Sequence, residues 1–383
     1  MGFSFKRRLD GLQEKMGNLD LDLVVYGSCQ NFQYLTGLLI DWRRGVDLGG
    51  QVNNVFVPRK GEPILTIGEE WANTADQTWI KDVRTCGAKD SFEKLIRKIV
   101  RDLGVKGGKV GLGDHVWGST MIEIRRALKK PVFCKAEQLM DQVRMIKDSE
   151  EIDRLMRAAE LTDKAVDAVI PRIKKGVTQR ELRLELEFEG RRLGASDVSF
   201  PPWIGFVKSG SEASADLVTC PIDEGLMAGT SIAFDNGFVL DGYCSDFGRS
   251  FYFGPANSEV REGYEALQQS VVQTVDKMKE GSMRVCDVFP SIEKELDKHG
   301  YGDYLRARLP AKSVGHSIGV EVHEPPWLNP ENEMALQSNM VLAVEPKLWH
   351  TGEYYLRVED IVLMKPRKAE FLTNFDRELF MLD

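Results

Sequence analysis

The order of apolar and polar residues divides the chain into two parts that differ in pattern. In residues 1–145, apolar runs at Leu21–Tyr26 and Asn54–Val57 predict buried strands, and the helical period of Phe92–Leu103 predicts an amphipathic helix. Strands that alternate with helices in this way are typical of an α/β domain. We find no catalytic set of side chains within this part of the sequence.

A second domain is predicted from residue 146 onward, because helix start signals follow directly. Asp148 precedes Glu151 by three positions, and Thr178 precedes Glu181 by three, so each pair forms a capping-box pattern. The predicted domains are therefore 1–145 and 146–383. Further along, apolar residues at gaps of three or four predict a helix with one buried face, formed by Val260, Tyr264, Leu267, Val271, Val275 and Met278.

Acidic residues interrupt four apolar runs in the second domain. An apolar run leads to Asp235, and after a Gly-containing reversal a second predicted strand carries Asp246, as in a β-hairpin. Glu345 and Glu359 lie in later runs that are rich in β-branched residues. Strand interiors normally avoid Asp, and an ionised carboxylate is costly to bury unless it is paired or coordinated. Taken alone, the two aspartates could also be turn residues.

A histidine accompanies these carboxylates. His316 follows a glycine in the segment 315–323, which also contains His323. Carboxylate oxygens with one imidazole suit two divalent ions held close together, such as Mn²⁺, Co²⁺, Fe²⁺ or Zn²⁺. The sequence therefore predicts a metal centre.

The order and spacing of these residues resemble metallopeptidase family M24. Asp246 follows Asp235 by 11 positions, Glu345 follows His316 by 29, and Glu359 follows Glu345 by 14. The family has the pita-bread fold and includes methionine aminopeptidase, aminopeptidase P and prolidase, with creatinase as a metal-free relative. The resemblance implies two divalent metal ions. The implied ligands are Asp235, Asp246, His316, Glu345 and Glu359.

The resemblance extends to the N-terminal domain and to the reaction. Residues 30–37 are similar to the N-x-x-Y-L-T-G segment of the creatinase/prolidase N-terminal domain. The implied fold is a creatinase-N-like α/β domain followed by an α+β pita-bread catalytic domain. The implied activity is metal-dependent hydrolysis of the Xaa-Pro dipeptidase or aminopeptidase type, in which Glu345 transfers protons and His323 contacts the substrate carbonyl or its oxyanion.

Three departures from the family keep a second function open. No histidine occurs from 116 to 298, although the family's aminopeptidases carry one shortly before the first aspartate, a region that here is 215–221. Trp327 stands where prolidases tend to have Arg, and Gly248 stands where the family usually has Thr. The alternative is a non-peptidase member, creatinase-like, acting on a small amide, amidine or betaine-like metabolite. Trp203 and Trp327 could line its pocket.

A polar loop in the N-terminal domain contains Arg43 and Arg44. It could simply be a solvated loop, but arginine presents a fork that fits a carboxylate. In creatinase and prolidase relatives the N-terminal domain of one subunit reaches toward the partner's catalytic cleft. The resemblance thus implies a homodimer, in which Arg43 and Arg44 are candidate substrate-binding residues, together with Trp327 and His323.

The composition of the chain limits the classes of binding partner and the cellular compartment that we expect. The chain of 383 residues has a net charge of −8, which argues against nucleic acid or an anionic membrane as the main partner. No apolar run approaches the roughly 18 residues of a membrane span, and no signal peptide is visible. Six scattered cysteines without a C-x-x-C pair suit reduced thiols. We expect a cytoplasmic protein with a short-peptide or small-molecule substrate.

Overall fold

The chain divides into an N-terminal unit, Met1–Arg144, and a C-terminal unit, Met145–Asp383, in the computed structural model. The structure describes residues 2–40, 42–43, 51–210 and 223–383. Within these ranges, no helix combines the length and the apolar character needed to cross a bilayer. The predictions made for Arg44 and for the segment 215–221 lie outside the described residues.

The N-terminal unit is an α/β domain, as predicted. Its mixed sheet has the strand order β4-β3-β2-β1-β5-β6, with parallel pairing between β1 and β5, β5 and β6, and β3 and β4. The strands are β1 (Leu21–Gly27), β2 (Asn54–Pro58), β3 (Ile64–Gly68), β4 (Asp82–Cys86), β5 (Gly107–Leu112) and β6 (Lys129–Lys135). The helices are α1 (Gly2–Asn18), α2 (Gln30–Thr36), α3 (Phe92–Asp102), α4 (Gly118–Ala127) and α5 (Glu137–Arg144).

Two helices of the C-terminal unit begin where the sequence predicts. The side chain of Asp148 accepts a hydrogen bond from the backbone N–H of Glu151, and Thr178 does the same for Glu181, so both capping boxes are present. The predicted apolar stripe of the third helix is buried. The helices are α6 (Ser149–Val169), α7 (Gln179–Arg192), α8 (Ser258–Lys277), α9 (Val288–Lys298) and α10 (Gly302–Arg308).

The sheets of this unit are mainly antiparallel, and β20 alone pairs with its neighbour β12 in parallel among the described strands of the two larger sheets. One sheet has the order β20-β12-β9-β8 and another the order β14-β13-β15-β18-β19, and β16 pairs with β17. The strands are β7 (Asp197–Val198), β8 (Trp203–Lys208), β9 (Thr230–Asn236), β10 (Phe238–Leu240), β11 (Tyr243–Cys244), β12 (Phe247–Phe253), β13 (Gly315–Ser317), β14 (Glu324–Trp327), β15 (Val341–Val344), β16 (Lys347–His350), β17 (Tyr354–Arg357), β18 (Asp360–Leu363), β19 (Glu370–Phe371) and β20 (Phe380–Leu382).

Each helix pair packs its apolar face on one of the sheets. Residues of α6 and α7 share a core with β8, β9 and β12, in which the rings of Phe234 and Phe251 lie 5.0 Å apart. Residues of α8 and α9 share the other large core with strands of the second sheet. Each fully buried Phe, Leu or Ile in these cores contributes about 1.5–3 kcal/mol relative to an exposed position. The two cores hold the strands that present the acidic residues.

The aspartate hairpin differs in detail from the prediction. Strand β9 pairs with β12 as expected, with Asp235 opposite Gly248, but Asp246 ends the connection just before β12. The connection contains the short pair β10–β11. Phe238 of β10 is buried in the α6–α7 core, so the connecting residues fold inward and do not form a simple turn.

Candidate metal centre

The four predicted acidic ligands lie at the ends of strands from two different sheets. Asp235 is near the end of β9 and Asp246 directly precedes β12, whereas Glu345 directly follows β15 and Glu359 directly precedes β18. The backbone N–H of Glu359 donates a hydrogen bond of 2.8 Å to the carbonyl of Gly248, and this bridge joins the two sheets. The fold thus brings the four carboxylates together although 124 positions separate the first from the last.

His316 enters the same cluster from β13. The preceding Gly315 has φ of 148°, and a Cβ there would collide with the carbonyl oxygen of Ala343, so glycine permits β13 and β15 to approach. Nδ1 of His316 lies 3.0 Å from the carbonyl oxygen of Ser317. This contact favours the tautomer whose Nε2 lone pair is available to a metal.

The distances between side-chain atoms define one continuous cluster. Nε2 of His316 lies 3.4 Å from Oδ2 of Asp246 and 3.8 Å from Oε1 of Glu345. Three overlapping groups have candidate ligand atoms within 4.8 Å of one another: Asp246, His316 and His323; His316, Glu345 and Glu359; Asp235, Asp246 and Glu359. The structure therefore brings together all five predicted ligands, with His323 beside them.

Two buried oxygen atoms in the cluster have no hydrogen-bond donor among residues 2–40, 42–43, 51–210 and 223–383. Oδ1 of Asp246 and Oε1 of Glu359 are both buried without a partner, and the two residues are 2% and 0% exposed. Buried polar atoms normally find a partner, because leaving one unsatisfied costs about 1–3 kcal/mol. Unpaired carboxylate oxygens beside an imidazole nitrogen are the donor set that a divalent transition metal prefers. The residues present therefore fit metal ions.

The cluster perturbs the pKa values of its own carboxyl groups in opposite directions. Burial, reinforced by the neighbouring Glu359 and Glu345, raises the pKa of Asp246 well above its ordinary value. Burial would also raise the pKa of Glu345, but the ammonium of Lys347 and the nearby His316 outweigh it and hold this pKa below its ordinary value. Acidic groups with pKa values driven apart in one cleft are typical of functional sites.

Two cations in the cluster were not predicted from the sequence. The guanidinium of Arg357 contacts Asp235, Glu345 and Glu359, and lies 3.1 Å from Oε2 of Glu345. The ammonium of Lys347 also contacts Oε2 of Glu345. Each cation is two positions from a glutamate, and alternate residues of an extended chain point to the same side. This two-position spacing is the feature of the sequence that could have indicated that the cations lie beside the glutamates.

Gly248, a departure from the family pattern, leaves room for one of these cations. A Cβ at this position would lie 2.8 Å from Cδ of Arg357 and 2.9 Å from Oε2 of Glu359. Real Cβ atoms do not approach other heavy atoms so closely, so a larger residue would displace the guanidinium. The position of the Arg357 guanidinium in this chain therefore depends on the absence of a side chain at residue 248.

The second histidine borders the cluster on its open side. The rings of His316 and His323 meet edge to face at 4.5 Å, and Trp327 lies 5.8 Å from His323 and is 42% exposed. Partial desolvation, together with the neighbouring His316, holds the pKa of His323 below its ordinary value. A neutral imidazole at neutral pH can donate one hydrogen bond to a substrate oxygen.

Trp203 lies on the strand next to Asp235, whereas Arg43 lies in the N-terminal unit. Trp203 of β8 pairs with Asp235 of β9, and its ring packs edge to face on Tyr355 at 5.8 Å. Arg43 belongs to the N-terminal unit, where its guanidinium carbon lies 4.4 Å from the centroid of the Trp42 ring.

Comparison with known families agrees with this architecture. Residues 153–366, more than half of the chain, match the family described as Metallopeptidase family M24. Residues 8–146 match the Creatinase/Prolidase N-terminal domain. The two matches follow each other along the chain in the order of the two structural units.

Individual relatives match over nearly the whole chain. The "Putative dipeptidase YkvY" of Bacillus subtilis (strain 168) is 27% identical over 355 residues, which cover 92% of this chain and 93% of that protein. A dipeptidase from Pyrococcus horikoshii OT3 has a crystal structure that is similar with a TM-score of 0.86 at 25% identity, covering 98% of this chain and 100% of that chain. A prolidase from Thermococcus sibiricus has a TM-score of 0.83 at 26% identity, with both chains fully covered.

Proposed function

Because the chain belongs to metallopeptidase family M24, a family of hydrolases, we propose that it hydrolyses the peptide bond of Xaa-Pro dipeptides or of similar short peptides with the help of divalent metal ions. The observation that carries this proposal is the convergence of His316 and the four carboxylates within one cluster. The printed names of the relatives, dipeptidase and prolidase, support the substrate class.

The proposed ligands divide between two neighbouring positions. Asp235, Asp246 and Glu359 would hold one ion, and His316, Glu345 and Glu359 would take part in holding a second. When bound, such ions act as Lewis acids and lower the pKa of water toward neutrality. The ions are of the Mn²⁺, Co²⁺, Fe²⁺ or Zn²⁺ type, since the ligands are mainly carboxylates with one imidazole.

The side chains of the chain itself supply the remaining chemistry. Glu345 is ionised at neutral pH, since its pKa lies below the ordinary value, and it can therefore accept a proton from the attacking water and pass it to the leaving amine. His323 would donate a hydrogen bond to the scissile carbonyl and retain it as negative charge develops on that oxygen. Trp327 would exclude water from one side of the substrate.

Further parts of the proposal concern assembly and domain roles. The second domain, 146–383, would carry out the chemistry. The first domain, 1–145, would contribute in part to substrate binding. A homodimer would let Arg43 and Arg44 reach an anionic group of the substrate in the partner's site. The enzyme would act in the cytoplasm, on a short peptide or small molecule.

Hydrolysis assays on metal-free protein reconstituted with Mn²⁺ test the proposal. Xaa-Pro dipeptides should be cleaved, and activity should be lost on chelation and in Asp246→Ala, which removes a ligand but little apolar core. Cleavage of small amides or amidines but not of Xaa-Pro dipeptides would favour the alternative function, for which Trp327 beside His323 is the supporting observation. A protein that binds no metal would refute both functions as metal-dependent reactions.

A further inference from the structure

The hairpin formed by β16 and β17 places two cations directly opposite each other. Lys347 and Arg357 are paired in its register. Like charges at directly opposed positions of two strands destabilise a sheet unless other charges offset them. Here both side chains extend to the same atom, Oε2 of Glu345, which lies 3.1 Å from Nη2 of Arg357. The hairpin thus positions positive charge at one specific carboxylate of the cluster.

The two cations make different contacts. Arg357 presents a planar fork that contacts Asp235 and Glu359 as well as Glu345. The ammonium of Lys347 forms its ion pair with Glu345. A lysine is a compact point charge on a flexible stem, so its position can change more readily than that of a guanidinium held at several carboxylates. The side chain of Lys347 is only 11% exposed, which prevents water from screening this charge.

The charges in the cluster do not balance for two metal ions. When ionised, the four carboxylates carry four negative charges, and the two cations offset half of them. A single divalent ion would neutralise the remainder. A second divalent ion would add charge to a site that is already neutral, at a carboxylate whose oxygen is in use by Lys347.

From this we propose that Lys347 is an internal counter-cation that competes with a divalent metal ion for Glu345 and thereby weakens binding of the second ion. The inference rests on the proposed function, since it takes the cluster to be a metal centre. Uptake of the second ion then depends on whether the ammonium of Lys347 moves away from Oε2 of Glu345.

Titration of Mn²⁺ into the metal-free full-length protein tests this role without an activity assay. Isothermal titration calorimetry would give the stoichiometry and the two affinities, and electron paramagnetic resonance would count the free Mn²⁺. The variant Lys347→Met keeps the length of the side chain without its charge, and Lys347→Arg keeps a charge. Lys277→Met is the matched control, because Lys277 also pairs with a carboxylate, Glu295, at 2.9 Å but on the α8–α9 surface.

We expect Lys347→Met to tighten the weaker Mn²⁺ affinity by about 10-fold or more, because two cations a few ångströms apart repel each other strongly even at a high effective dielectric constant. Lys347→Arg and Lys277→Met should each stay within about 3-fold of the wild type, since neither removes positive charge from Glu345.

The possible contrary results are distinct. Two Mn²⁺ ions bound by the wild type and by Lys347→Met with the same affinities would refute the role of Lys347 and leave the proposed function standing. Weaker binding in Lys347→Met would also refute competition, provided that its thermal unfolding matches that of the wild type. No Mn²⁺ binding by any of these proteins would overturn both the inference and the proposed metal centre.

Discussion

A buried ion pair next to the loop 318–323 offers a quantitative test of how the candidate metal centre is supported. Lys147 is fully buried, and its ammonium lies 2.9 Å from Oγ of Ser317 and 3.3 Å from Oε2 of Glu324. Ser317 follows the proposed ligand His316, and Glu324 follows His323. The other carboxylate oxygen of Glu324 accepts a hydrogen bond from the backbone N–H of Glu321. The pair therefore closes the loop 318–323 that carries His323.

Replacing Lys147 with Met keeps the volume of the side chain but leaves the charge of Glu324 without its ammonium. Removing one partner of a buried pair costs about 3–5 kcal/mol, because the remaining charge stays desolvated. A cavity contributes little, since Met and Lys have similar length. For a unit of this size, each kcal/mol corresponds to about 2–4 °C in Tm, so the C-terminal unit should unfold about 10 °C lower.

A double-mutant cycle measured by urea unfolding at neutral pH isolates the pair. Lys147→Met combined with Glu324→Gln should be more stable than Lys147→Met alone, because the amide carries no charge to desolvate. The control Lys277→Met removes a half-exposed lysine and leaves Glu295 its second partner, Lys298, so we expect a loss of only about 0–1 kcal/mol. A cost below about 1 kcal/mol for Lys147→Met, or effects that simply add in the double mutant, would refute this reasoning.

Two further predictions concern groups in and beside the site. Burial raises the pKa of Asp163 to about 6, with a smaller contribution from Asp360 and against the opposing effect of Arg249. The protonated form of Asp163 therefore favours the folded state. That stability is fully present below about pH 4 and is lost as the pH rises through about 6, a change of about 3 kcal/mol. Asp163→Asn should flatten this part of the pH profile in urea unfolding, and an unchanged profile would contradict the assignment. His323→Ala should reduce turnover by about 10²- to 10³-fold with unchanged metal content, as determined by elemental analysis. Equal loss of metal would show that His323 is a ligand.

Much of the fold could be predicted because local signals and long-range packing agree. The capping boxes at Asp148 and Thr178 mark helix starts by hydrogen bonds that form within four residues. The stripe from Val260 to Met278 marks a buried helix face by its period alone. The acidic residues were recognisable because Asp and Glu are costly inside apolar strands.

The cations of the site were not predicted, because a charged residue on a strand normally faces solvent and the two-position spacing from a glutamate is a weak signal by itself. Only the antiparallel register of β16 and β17 shows that Lys347 and Arg357 are opposite each other, and register depends on tertiary packing. Lys147 was likewise inconspicuous, since its partner Glu324 is 177 positions away. The path between Asp235 and Asp246 also depended on where Phe238 is buried. Each of these features depends on contacts between distant residues.

The most direct test of the account is anomalous X-ray diffraction from crystals of the full-length chain loaded with Mn²⁺. Data collected above and below the manganese absorption edge locate the ions independently of any assumption about ligands. If the cluster is a metal centre, anomalous density should lie within about 2.0–2.4 Å of carboxylate oxygens of Asp235, Asp246, Glu345 and Glu359 and of Nε2 of His316. Fully loaded crystals without density in this cluster, or with the ions bound only at other residues, would contradict it.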